Sequence, residues 1–232
     1  MSRINIDTLD GTEQLPAYMA EPANEPRAAV IVIQEIFGVN TGIRAKCDKL
    51  AADGYLALAP DLFWRIEPEI ELDPDIPEQM QRGLDLMGRF DQDMAIRDIE
   101  AAIRAARSRI SEGGKVGVVG YCLGGRLAYM TAARTDSDAS VGYYAVGIDG
   151  LLDEARAIAN PLMLHIAGDD GFVDPTTQAK MHEGLDDHPK VVLHDYPGED
   201  HGFATESGQR RSPMAADRAD ERTRAFFAEH LG

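Results

Sequence analysis

Cysteine, basic charge and long apolar runs are all scarce in this chain. Two cysteines, Cys47 and Cys122, occur in 232 residues. They make no disulfide framework, and reduced thiols in a cytoplasmic setting are the simpler expectation. No apolar run approaches the ~18 to 20 residues of a membrane helix. The N-terminal MSRINIDTLDG lacks the apolar stretch of a signal peptide. Lysine and arginine number 23 against 40 acidic residues, giving a net charge of −17. Such a surface repels phosphate backbones and anionic lipid, which argues against nucleic acid or a membrane as partner. A small substrate stays open, because a local basic pocket can sit in an acidic protein. Internal repeats, low-complexity tracts and linkers are also lacking, so 1–232 reads as a single domain. No apolar surface stripe stands out, and a monomer is expected.

Apolar residues make up 44% of the chain, enough for a sizeable core. INIDT and LPAYMAEP flank an Asp-Gly turn signal, which predicts an opening hairpin. AAVIVI (28–33) and YLALAPDLF are continuous apolar runs, as expected of strands buried on both faces. Between them Ile43, Cys47, Leu50 and Ala51 share one helical face, with Gly54 as a stop. RIEPEIELDPDIPE, rich in proline and acid, reads as an exposed excursion within an irregular 64–90. Ile96, Ile99, Ile103, Ala106 and Ile110 then step by three or four residues along a helix. KVGVVG, SVGYYAV, LMLHIAG and VVLHDYP are further strand candidates. Asp174-Pro175 and Ser212-Pro213 each read as an N-cap followed by the first helical residue. This alternation predicts a mostly parallel α/β sheet with helices on both faces, whose ligands bind beyond the carboxyl ends of the strands.

One such end is Gly120-Tyr121-Cys122-Leu123-Gly124-Gly125, a strand-to-helix turn with the shape of a nucleophile elbow. Glycines clear the space that so sharp a turn needs, and the central side chain is lifted over a helix N-terminus. Free amides there can bind an oxyanion, and the same positive end favours a thiolate. A nucleophile so placed needs a base, and the base an orienting acid, in the order nucleophile, acid, histidine. His165 and His194 lie inside strands, His182 and His230 on helices, and His188 precedes a proline. His201 lies in a loop past the last strand and is the candidate base. For the acid, HIAGDDGFVDP offers Asp169, Asp170 and Asp174. Asp174 is better explained as a helix cap, and chemistry alone does not separate Asp169 from Asp170. Glu35 follows AAVIVIQ, where a carboxylate is costly unless paired. It can face the thiol, which would place the Ile36 amide beside that of Leu123 as a second oxyanion donor.

QEIFGVN (34–40), GYCLGG (120–125), VGYYAVG (141–147), GDDGFV and the HGFA at 201 resemble the motifs of the dienelactone hydrolases, or carboxymethylenebutenolidases. They fall in family order over almost the whole chain. The resemblance implies an α/β-hydrolase fold and a Cys-His-Asp triad that needs no metal or organic cofactor. It makes Cys122 the nucleophile, His201 the base and Asp170, through GxDxFV, the acid. Glu35 matches the glutamate that pairs with the cysteine at rest, and substrate is thought to displace it. Phe37 and Tyr144 match residues near the cavity. Two arginines that hold the carboxylate of dienelactone fall, without gaps, on Met80 and Thr205. Two aromatic pocket positions fall on Leu84 and Met87. Arg82 stands two positions from the first lost arginine, where a helix turns its side chain elsewhere. The pocket implied is more apolar and less suited to an anion.

The expected activity is hydrolysis of a small ester or enol lactone. A thiolate is expelled more readily than an alkoxide, so good leaving groups should be favoured over amides. The alternatives are a carboxylesterase or thioesterase with a distinct apolar substrate, and a non-catalytic small-molecule binding protein on the same frame. A redox-sensing thiol has least support, since Cys122 has no CxxC partner.

Overall fold

The computed structural model describes residues 2–232. Strands and helices alternate along the chain as β1 (Ser2–Asp7), β2 (Gln14–Ala20), β3 (Ala28–Ile33), α1 (Thr41–Ala52) and β4 (Tyr55–Pro60). Then follow α2 (Pro77–Gly88), α3 (Gln92–Arg107), β5 (Val116–Tyr121), α4 (Leu123–Arg134) and β6 (Ala139–Tyr143). The chain closes with a 3₁₀ helix (Ile148–Ala157), β7 (Leu162–Ala167), α5 (Pro175–Leu185), β8 (Val191–Tyr196) and α6 (Pro213–Leu231). Two compact units result, one running through Gly117 and the other Val118–Gly232.

In the first unit the strands are ordered β1-β2-β4-β3. The opening hairpin is antiparallel with Ile6 opposite Leu15, and Gly11 takes the left-handed turn conformation expected of Asp-Gly. β4 lies antiparallel to β2 and parallel to β3. All six residues of β3 are buried, as are all six of β4, which is why both read as unbroken apolar runs. α1 and α3 pack against these strands. Asn40 caps α1 by accepting from the Ile43 amide at 3.1 Å, and Asp91 caps α3 by accepting from Asp93 and Met94. The isoleucine face of α3 ends with Ala106; Ile110 lies beyond the helix and packs where any side chain on Gly114 would stand.

The 64–90 segment departs from the expectation of an exposed excursion. Ile70 and Leu72 are buried, and the Leu72 amide donates to the Phe37 carbonyl at 2.9 Å. Buried Asp98 accepts from Trp64 Nε1 and Arg65 Nη2 at 2.9 and 2.8 Å, which ties the segment to α3. α2 packs so closely on the Ile36 backbone that a Cβ on Gly83 would stand 2.9 Å from the Ile36 carbonyl oxygen. Proline and acid content pointed outward; a few well-placed apolar residues and one buried carboxylate decide otherwise.

In the second unit the order is β5-β6-β7-β8, with β6, β7 and β8 parallel. β5, β6 and β7 are buried along their whole length. α4 packs on β6, α5 on β8, and α6 on β6 and β7. Leu162, Leu164 and Ile166 of β7 share a core with Tyr129 of α4, Ile148 of the 3₁₀ helix and Met181 and Leu185 of α5. Burying each such side chain contributes roughly 1.5–3 kcal/mol at most. Asp174 caps α5 as expected, accepting from Thr177 at 2.7 Å. Ser212 precedes α6 but its side chain makes no capping bond, so that helix start rests on Pro213 instead.

Candidate active site

β5 ends and α4 begins within two residues, and the turn between them is strained. Cys122 holds φ at 56°, a left-handed conformation costly for a residue with a Cβ. Crowding permits nothing bulkier around it: a Cβ on Gly120 would stand 1.9 Å from the Gly124 carbonyl oxygen, and one on Gly125 2.7 Å from that of Tyr143. The Cys122 amide donates to the Tyr143 carbonyl at 3.0 Å, which hangs the turn on the end of β6. Leu123 is the first residue of α4, so its amide has no acceptor within the helix. Cys122 is half-buried, whereas Cys47 is buried in α1 with its thiol pushed up by burial.

His201 lies in the loop after β8, and Asp170 follows β7. Their side chains meet with His201 Nδ1 2.9 Å from Asp170 Oδ2 and 3.1 Å from Oδ1. The Asp170 side chain is 1% exposed and also accepts from the Phe172 and Val173 amides at 2.8 and 3.2 Å. Asp169 is exposed, and its amide is spent on the Glu199 carbonyl. The two carboxylates that chemistry left open are thus separated by the local turn. The Cys122 side chain is also within hydrogen-bonding reach of the imidazole. Burial opposes a charge on His201, but the hydrogen bonds and negative charge of Asp170 and Cys122 outweigh it and push the pKa up to about 10.

Two neighbours of this group, Asp200 and Phe172, were not singled out in the sequence. Asp200 accepts from the Gly171 and His201 amides at 3.0 and 2.6 Å, joining the acid loop to the histidine loop. Those donors hold its carboxyl below the usual range. Its place directly before His201 was the available signal. Phe172, 57% exposed, sets its ring edge-on to His201 at 4.8 Å. On another side Tyr144 does the same at 5.0 Å. Tyr144 was expected near a cavity; it is buried, at φ 35°, against His201 and Phe203.

The remaining expected residues fall as follows. Thr205 is half-buried in the loop after His201, and its carbonyl accepts from Arg211 at 2.6 Å. In the first unit Glu35, Ile36 and Phe37 are buried directly after β3. On α2, Met80 and Leu84 are half-buried and Met87 is exposed. Arg82 is exposed and pairs with Glu67. The other five histidines stay away from the Cys122 group: His182 bonds Asp186 and Asp195, His165 sits in β7, His194 in β8, His230 on α6 and His188 in a turn.

The model of the dienelactone hydrolase family matches residues 15–231. The chain belongs to the dienelactone hydrolase family. It is 46% identical over 218 residues to an Azospirillum brasilense protein provisionally named carboxymethylenebutenolidase, covering 93% of this chain and 94% of that one. It is 38% identical over 225 residues to the carboxymethylenebutenolidase of Pseudomonas putida, covering 97% and 95%. A solved structure from Klebsiella pneumoniae, provisionally identified as a dienelactone hydrolase, superposes with a TM-score of 0.85 at 28% identity over 98% of both chains. The mostly parallel α/β sheet expected from the alternation, and the α/β-hydrolase fold implied by the resemblance, are the fold shared with that structure, and the chain is a hydrolase. Among the described residues no helix is long and apolar enough to cross a membrane.

Proposed function

We propose that the second unit carries a cysteine hydrolase site for small esters and enol lactones, with Cys122 as nucleophile, His201 as acid and base, and Asp170 as its orienting carboxylate. The observation that carries this reading is the His201 imidazole held between Asp170 and Cys122, with its pKa pushed up to about 10. A histidine so disposed is charged at neutral pH and holds a proton it can give to a leaving group. The thiolate attacks the carbonyl carbon, and the carbonyl pair moves to an oxyanion facing the Leu123 amide at the start of α4. Collapse expels the alkoxide or enolate, which takes the Nε2 proton of His201. The thioester has no thiolate charge, so one of the causes that raised the His201 pKa is gone. The neutral imidazole then accepts a proton from the attacking water, and a second collapse releases acid and thiolate.

Relatives named for carboxymethylenebutenolidase support an enol-lactone substrate. With Met80 and Thr205 where the resemblance implies arginines, this reading expects neutral esters and lactones to be preferred over anionic ones. The test sets p-nitrophenyl acetate beside a dienelactone, with wild type and Cys122→Ala. The reading requires wild type to cleave the activated ester and the variant to be inert. Equal turnover by the variant would overturn it, and fast dienelactone cleavage would refute the neutral preference.

A further inference from the structure

His165 takes no part in the chemistry proposed above, yet it is 1% exposed in the middle of β7 and both ring nitrogens are engaged. Its Nδ1 lies 2.8 Å from the Tyr196 hydroxyl, and its Nε2 3.0 Å from Thr223 Oγ1. Tyr196 ends β8, and Thr223 is on α6. Thr223 Oγ1 also lies 2.6 Å from the hydroxyl of Tyr143, which ends β6 and donates to Asp220 at 3.1 Å. At the other end Arg222 Nη1 donates to the Tyr196 oxygen at 3.1 Å.

Donor and acceptor counting gives this chain one direction. Arg222 only donates, so the Tyr196 oxygen accepts from it, and with a neutral ring the Tyr196 proton goes to His165 Nδ1. His165 Nε2–H then donates to Thr223, Thr223 to Tyr143, and Tyr143 to the Asp220 carboxylate. Every hydroxyl is both donor and acceptor, and the run starts at a cation and ends at an anion. It requires a neutral His165 with its proton on Nε2. Burial first, and for Tyr143 also the charge of Asp220, raise both phenols, which keeps them protonated as the chain needs.

The same two tyrosines hold the backbone of the candidate site. The Tyr143 carbonyl accepts the Cys122 amide, and the Tyr144 amide donates to the His165 carbonyl at 2.8 Å. The Tyr196 carbonyl accepts from Gly168 at 2.9 Å and Glu199 at 3.2 Å, each two residues before a candidate triad member, Asp170 or His201. The nucleophile turn therefore hangs on one phenol-anchored residue and the acid and base loops on another. Both phenols run to the same imidazole, directly or through Thr223. From this juxtaposition we infer that His165 is a positioning residue, which sets the distance between the Cys122 turn and the loops of Asp170 and His201 by fixing Tyr143 and Tyr196 against α6. The inference rests on the Cys122-His201-Asp170 reading.

The test removes one oxygen at a time on either side of His165. Tyr196→Phe and Thr223→Val each remove the oxygen that faces one ring nitrogen, and Thr223→Ser keeps it. Ester hydrolysis, iodoacetamide alkylation of Cys122 and thermal melting are measured in parallel with Cys122→Ala. Both deletions should lower kcat about ten-fold or more with KM within about two-fold. Alkylation should slow by a similar factor, and Thr223→Ser should hold near wild type. The double variant Tyr196→Phe/Thr223→Val should lose less than the product of the two, as members of one network do. A fall in melting temperature with kcat and alkylation unchanged would overturn the inference and leave a purely structural network. Activity surviving in Cys122→Ala would instead overturn the site reading beneath it.

Discussion

Replacing Asp170 by asparagine keeps the shape of the side chain and removes its charge. The oxygen would stay with the Phe172 and Val173 amides, now 2.8 and 3.2 Å from Oδ1. The new amide nitrogen would then face His201 Nδ1, where a carboxylate oxygen lies at 2.9 Å. An amide donor there makes Nδ1 the acceptor and puts the ring proton on Nε2, toward Cys122. That tautomer cannot take a proton from the thiol or from water. His201 also loses one of the groups that keep it charged while buried. Removing one partner of a buried charged pair costs about 3–5 kcal/mol. If the transition state bears that cost, kcat/KM falls roughly 150- to 5,000-fold, at 1.36 kcal/mol per decade. Initial rates on p-nitrophenyl acetate give the number directly. Asp169→Asn, altering an exposed neighbour whose side chain makes none of these contacts, should stay within about two-fold of wild type. Folded Asp170→Asn enzyme with near wild-type rates would refute the reasoning.

Gly120→Ala should destabilise by at least about 2–3 kcal/mol in urea unfolding, because the added Cβ meets backbone 1.9 Å away and must move the elbow. The His201 pKa, raised from 6.5 to about 10, adds stability that is full below about pH 6.5 and is lost as pH climbs toward 10. Urea midpoints should fall over that window in wild type and change less in Asp170→Asn. Thiol titration of the native protein should find one reactive cysteine, Cys122, and none in Cys122→Ala until it unfolds, since Cys47 is fully buried.

Much of the fold was legible because burial on both faces leaves an unmistakable trace. AAVIVI is β3 residue for residue, and YLALAPDLF starts with β4 but runs three residues past its end at Pro60. The elbow could be read because its turn admits only glycine at Gly120. The segment around Ile70 and Leu72 misled because its proline and acid content hid the residues that pack inward. The 3₁₀ helix at Ile148–Ala157 escaped notice although Ile148, Leu151, Leu152 and Ala155 recur at helical spacing and pack on the core. Asp170 could not be told from Asp169 by residue type, because the turn that buries one and exposes the other is set by the Phe172, Val173 and Glu199 backbone. His165 read as an ordinary strand histidine for a similar reason. Its partners Tyr196 and Thr223 lie 31 and 58 residues away, and no local pattern links them.

The central claim is that Cys122 is acylated in turnover, and the most direct measurement looks for that bond. Enzyme mixed with p-nitrophenyl acetate and quenched in acid within the first turnovers is digested and its peptides weighed. The account predicts one acetyl group, carried as a thioester on the peptide containing Cys122 and absent in Cys122→Ala. An acetyl group on another residue of the active wild type, or undiminished hydrolysis by Cys122→Ala, would contradict it.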